Sequence, residues 1–164
     1  DGADQLRVGE YLLKSLKRTD PDSCLIFPRF VDRAVGFIVR CQTETDPTWL
    51  TNLLYAIFQA ASDEALFLVA LDPNGKIVAH LIAKTEKYAN KDVGYILQVE
   101  KDEGIQGLDI MENGFEILKN WAKNKKLTSL YNLAISQEVM RIWRKEYGFF
   151  VYRYLMKLEH AEET

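Results

Sequence analysis

The sequence predicts an α/β fold: one domain over residues 1–164, built on a mixed β-sheet with helices on both faces and a helical N-terminal third. Three observations predict it. Over residues 1–62 the apolar side chains recur at helical spacing, and from residue 65 they gather into short runs bounded by turns. Three of these runs follow one another through short connections, which pairs them antiparallel. Two later strand–helix–strand passages need crossovers and so favour parallel pairing. With 164 residues, 48% of them hydrophobic and 27% charged, the chain can bury one good core and is too apolar for disorder.

Taken in order, Leu6, Leu12, Leu13 and Leu16 share one side of a first helix, which Thr19-Asp20-Pro21-Asp22 breaks. From Phe27 to Gln42 a second stripe forms from Phe30, Val31, Ala34, Phe37, Ile38 and Cys41, with Pro28 suited to the first turn. Asp46 or Thr48 caps a third helix, whose buried face is Trp49, Leu53, Ala56, Ile57 and Ala60. Ala65 to Leu71 is a short apolar strand and Ile77 to Thr85 another, and the turn Asp72-Pro73-Asn74-Gly75 makes them a hairpin. A polar loop through Ala89-Asn90-Lys91 leads to a strand from Val93 to Val99. Gly104 to Lys123 is a long helix, Leu127 to Ile135 a strand, and Gln137 to Tyr147 a short helix capped by Ser136. Phe149 to Leu158, rich in aromatic residues, is the last strand. The sheet and its crossover helices thus occupy residues 65–159.

Charge and composition narrow the function. A net charge of -3 gives no electrostatic reason to expect nucleic acid or an anionic membrane as the main partner. No apolar run approaches the roughly 20 residues that span a bilayer. Two cysteines, Cys24 and Cys41, and two histidines, His80 and His160, are too few and too scattered for a disulfide scaffold or a metal centre. Free cysteines and the lack of a signal peptide point to a reducing, cytoplasmic setting. The chain begins at Asp1 rather than Met, as a processed or excised piece of a longer protein would.

Several local features occur together from Ala65 onward. Gly75-Lys76-Ile77-Val78-Ala79-His80 is a turn glycine followed by a strand ending in His. Val93-Gly94-Tyr95-Ile96-Leu97-Gln98-Val99 follows as a central strand, and Ile142-Trp143-Arg144-Lys145-Glu146-Tyr147-Gly148-Phe149 is a helix running into an aromatic turn and Gly-Phe. In order and spacing, over about 95 residues, these resemble the GNAT N-acetyltransferase superfamily. The resemblance implies acetyl-CoA as cofactor, bound where the central strand bulges and parts from its neighbour. Leu97, Gln98 and Val99 would lie along the pantetheine arm, whose amides complete the strand's unpaired backbone groups. Lys101, Gly104, Ile105, Gln106 and Gly107 would form the phosphate loop at a helix N-terminus, where free N–H groups and the helix dipole attract anions. Gln137 and Arg144 would complete the cofactor side.

The sequence also departs from the family pattern. The family's loop reads Gln/Arg-x-x-Gly-x-Gly/Ala; here Gln106 holds the place of a small residue, and Asp102 and Glu103 put carboxylates beside the expected diphosphate. Arg144 stands where many members carry a tyrosine that protonates the leaving thiolate, so the candidate acid is the nearby Tyr147. Candidate general bases are His80, with its near-neutral intrinsic pKa, and Glu100 at the end of the opened strand. The implied activity is acetyl transfer from acetyl-CoA to a small-molecule or protein amine by direct attack in a ternary complex. The alternative is a catalytically inactive module of the same fold, such as a component of a viral or other assembly, as a homo-oligomer or in a larger complex.

Overall fold

The computed structural model describes residues 5–41, 43–60, 63–105, 108–132, 137–150 and 158, with the backbone alone at residue 108 and at 137–140. The chain forms two compact units, Asp1–Leu133 and Ala134–Thr164. The first contains a six-stranded sheet in the order β1-β2-β3-β4-β5-β6, antiparallel throughout except that β5 and β6 are parallel. The strands are β1 (Gln5–Val8), β2 (Tyr11–Ser15), β3 (Ala65–Leu71), β4 (Ile77–Tyr88), β5 (Lys91–Lys101) and β6 (Leu130–Asn132). The helices are α1 (Pro21–Arg40), α2 (Pro47–Gln59) and α3 (Leu108–Asn124), with α4 (Gln137–Tyr147) in the second unit. The mixed α/β architecture expected from the sequence is the one formed.

Two of the three helices expected in the N-terminal third form, as α1 and α2, but the first is a strand pair. β1 and β2 form a hairpin through Gly9-Glu10, with Gly9 at φ +60° and Val8 facing Tyr11, the two-residue geometry that matches strand twist. The misread pattern has a physical cause. Leu12 and Leu16 pack on the core face of the sheet, while Leu13, only 2% exposed, points to the other face. A strand covered on both faces shows consecutive apolar residues rather than alternation, and such a run also fits a helix. β2 is therefore the strand that pairs with β3 before the helices begin.

The breaker at Thr19–Asp22 turns out to start a helix. Asp20 caps α1, accepting from the Ser23 N–H at 3.1 Å, with Pro21 in the first turn. α1 takes in Cys24 to Phe27, and Pro28 lies inside the helix rather than at its start. Asp46 caps α2 through the Thr48 N–H at 2.9 Å. The buried face of α2 is Leu50 and Leu54, with Leu53 and Ile57 half-buried; Trp49, Ala56 and Ala60 are exposed.

α1 and α2 cover one face of the sheet. Phe27 stacks on Phe58 with ring centroids 3.8 Å apart and tilts against Phe30 and Phe67, while Leu54 and Ile82 are fully enclosed. Each such side chain removed from water stabilises the fold by roughly 1.5–3 kcal/mol. α3 covers the other face, where Gly114 sits over Leu68. β4 and β5 run longer than the sequence suggested, joined by a two-residue turn with Ala89 and Asn90 both at positive φ. In the second unit the Phe149 N–H returns to the Trp143 carbonyl at 3.1 Å, and the Trp143 ring packs against Tyr147 and Phe149. The expected cap Ser136 and residues 151–157 of the expected last strand lie outside the described residues, and Phe149 and Phe150 are not in a strand.

Candidate functional site

β5 shapes the candidate site. Its register against β4 runs from Tyr88↔Lys91 to Ala83↔Ile96 and resumes at Ile82↔Gln98, so Leu97 is an extra residue, a β-bulge. Against β6 the described ladder runs from Gly94↔Leu130 to Ile96↔Asn132, its last pair immediately before that bulge. The Gly94 N–H donates to the Ser129 carbonyl at 2.9 Å, on the β6 side. Beyond the bulge the Asp102 N–H donates to the Val78 carbonyl at 2.8 Å, on the β4 side. Because N–H groups alternate along a strand, those of Val99 and Lys101 turn away from β4, toward the side where β6 runs. The bulge exchanges which residues offer their N–H there.

The strand ends in a loop. The Lys101 Nζ donates to the Ile105 carbonyl at 3.1 Å, and the Ile105 N–H reaches back to the Asp102 carbonyl at 3.4 Å. Gly104 is exposed at φ +82°, and α3 starts at Leu108. Gln106 and Gly107 lie outside the described residues.

Beneath this strand end, against α1, lies a buried polar network. The Arg33 Nε donates to the His80 Nδ1 at 2.9 Å. That bond makes Nδ1 the acceptor, so Nε2 carries the proton and donates to the Gln98 Oε1 at 2.9 Å. The Gln98 amide in turn donates to the Ala34 carbonyl at 3.0 Å. Burial pushes the His80 pKa down to about 4; the Gln98 hydrogen bond opposes this, the Arg33 and Arg40 charges assist it, and the Glu100 charge opposes it. His80 is therefore a neutral core histidine with both ring nitrogens engaged.

Glu100 is engaged as well. Its carboxylate accepts from the Arg40 Nη2 at 2.6 Å and the Arg40 Nε at 2.9 Å, a forked pair, and the Arg33 Nη2 stands 3.2 Å away. The same Arg33 nitrogen is 2.9 Å from the Asp102 Oδ1, an ion pair without hydrogen-bond alignment. Asp102, which by sequence threatened the phosphate loop, is thus paired with α1.

The structure brings His80, Gln98, Glu100 and the end of β5 together. Tyr147 and Arg144 are in the second unit, and the side chain of Gln137 lies outside the described residues. Sequence reasoning missed Arg33 and Arg40. Their spacing of seven places both on one face of α1, a signal that gives no hint of the partners beyond residue 76. A cavity of about 500 Å³ exists elsewhere, at the opposite end of the sheet, lined among others by Lys17, Phe58, Asp63, Trp121 and Lys125. It contains none of these residues, so the strand-end geometry rather than the cavity defines the candidate site. Among the described residues no cluster of metal-ligating side chains exists, and no helix is long and apolar enough to cross a membrane.

A mixed sheet with a bulged central strand, a glycine turn and a crossover helix after it is the fold this chain shares with solved acetyltransferases. It is similar to a predicted acetyltransferase from Clostridium acetobutylicum solved with acetyl-CoA, with TM-score 0.71 and 15% identity over 91% of this chain and 96% of that one. A glucosamine-6-phosphate N-acetyltransferase from Arabidopsis thaliana superposes with TM-score 0.62 at 16% identity, covering 92% of this chain and 99% of its own. An aminoglycoside 6'-N-acetyltransferase from Acinetobacter baumannii does so with TM-score 0.61 at 14% identity, covering 93% and 99%. The sequence matches no protein-family model and no curated protein.

Proposed function

We propose that this protein is an N-acetyltransferase that takes its acetyl group from acetyl-CoA. The observation that carries the reading is the Leu97 bulge, which turns the Val99 and Lys101 N–H groups outward where the described β5–β6 ladder ends. Outward amides suit the amide-bearing pantetheine arm, which takes the place of a neighbouring strand along Leu97, Gln98 and Val99. Lys101 and the segment from Gly104 through Ile105, Gln106 and Gly107 then meet the diphosphate at the start of α3.

In the reaction, a neutral amine attacks the thioester carbonyl, the C–N bond forms and the C–S bond breaks. The Val99 N–H polarises the carbonyl oxygen, as a fixed donor does where negative charge develops. The leaving thiolate takes up a proton as the C–S bond breaks; the sequence offers Tyr147 for that step, and Gln137 and Arg144 for the cofactor side. With His80 and Glu100 held by arginines, the acceptor's ammonium proton leaves through water. The rate then follows the acceptor's own pKa, without a limb near pH 6–7 from the enzyme. Two of the acetyltransferases of similar fold are named for small-molecule acceptors, an aminoglycoside and glucosamine-6-phosphate, which favours a small-molecule amine over a protein one.

The same engagement of His80 and Glu100 favours a second reading, a module that binds CoA without turning it over. Calorimetry with acetyl-CoA, followed by release of free thiol over a panel of small amines, separates the two. Binding with thiol release is expected. Binding without release supports the second reading, and absence of binding at millimolar ligand rejects both.

A further inference from the structure

Resting on that reading, we infer that Arg33 is the positioning residue of the donor loop, holding the Asp102 carboxylate against α1 and away from the diphosphate. Arg33 is 12% exposed at its side chain and is anchored at four points. Its Nε donates to His80, its Nη1 to the Ile77 carbonyl at 3.1 Å, and its Nη2 lies between Glu100 and Asp102. The first two bonds fix the guanidinium plane against the start of β4, which leaves Nη2 at ion-pair distance from the first residue of the loop. Glu100 has a forked partner in Arg40, whereas Asp102 has Arg33 at contact distance and feels Arg40 only at longer range. Arg40 also donates to the Arg33 carbonyl at 3.1 Å, tying the two arginines into one unit.

The consequence is electrostatic. A carboxylate opening a phosphate loop repels a diphosphate, and the repulsion falls away when a cation neutralises it at contact distance. Two arginines of α1 face two carboxylates at the end of β5, so the quartet is neutral and the loop's acidic first residue ceases to oppose the anion. Arg33 touches neither donor nor acceptor; it acts through Asp102.

The test uses the full chain and three probes: CoA, 3'-phospho-ADP, which carries the phosphates, and pantetheine, which lacks them. Arg33→Met is expected to weaken CoA and 3'-phospho-ADP tenfold or more and leave pantetheine within about threefold of its original affinity. Adding Asp102→Asn to Arg33→Met is expected to bring phosphate-bearing ligands back within about threefold. If Arg33→Met does not fold, Arg33→Lys serves, with a severalfold loss that Asp102→Asn again restores. Equal loss for pantetheine, or no rescue by Asp102→Asn, makes Arg33 a merely structural residue and overturns the inference. Unchanged CoA affinity in a folded Arg33 variant overturns it too. If the unaltered protein binds none of the probes, the acetyltransferase reading itself falls and takes this one with it.

Discussion

Acidification should destabilise this protein through one buried imidazole before its carboxylates titrate. His80 is 3% exposed, accepts from Arg33 at Nδ1 and donates from Nε2. Protonating Nδ1 would break the Arg33 bond and set a second cation against the guanidinium, in an enclosure also walled by the rings of Phe30 and Phe37. Its folded pKa of about 4 lies below the ordinary imidazole value of 6.5, so the unfolded chain binds a proton that the folded one refuses. Stability is therefore full above about pH 6.5 and is lost as pH falls toward 4, the direction linkage requires when the unfolded state binds more protons. At 1.36 kcal/mol per unit, the loss is about 2 kcal/mol between pH 7 and 5 and about 3 kcal/mol by pH 4. Urea unfolding at half-unit steps from pH 7 to 5 measures it, in a His160→Gln background so that His80 alone contributes. A further His80→Gln change should flatten the profile over that range, whatever its own cost. An equal slope with and without His80 would refute the argument.

The remaining predictions concern stability. Ile82→Ala empties a position with 0% exposure between α1 and the sheet and should cost roughly 2–5 kcal/mol in urea unfolding. Gly75→Val should lower the melting temperature through the backbone alone, at a cost of about 1 kcal/mol or more. Gly75 sits at φ +79° with nothing within 4 Å of an added Cβ, while Asp72 holds the turn through the Asn74 and Lys76 N–H groups. Asp20→Ala removes the α1 cap and strands Lys14, which is 7% exposed and 2.7 Å from that carboxylate; a loss of about 2 kcal/mol is expected at pH 7. The Lys14 and Ser23 hydrogen bonds hold the Asp20 pKa down to about 2, below the ordinary carboxyl value of 3.8. Its stabilising effect is thus complete above pH 3.8 and disappears as pH falls toward 2, which an acid titration of the variant against the parent should show.

Local chemistry made much of the sheet legible. Asp72-Pro73-Asn74-Gly75 between two apolar runs permits little but a tight hairpin, and the helix between β5 and β6 requires a crossover and hence parallel pairing. The bulge in β5 and the turn at Gly104 were legible through strand order and glycine placement. By contrast, Leu12-Leu13 reads equally as helix face or doubly buried strand, and the choice was made by β3 on one side with helices above and below. The roles of His80 and Glu100 likewise depended on partners far along the chain. A histidine 47 residues from Arg33 carries no local sign that its lone pair is occupied.

By itself the sequence determined the order of strands and helices from β3 to α4, the turns that join β3, β4 and β5, and the place where the central strand gives way to a loop. Each of these is set by backbone preferences within a few residues. Tertiary structure decided which carboxylates and which imidazole are free, because charge and proton affinity depend on burial and on neighbours that only folding brings within 3 Å. α1 supplies those neighbours through Arg33 and Arg40, which pair with Glu100 and Asp102 at the end of β5.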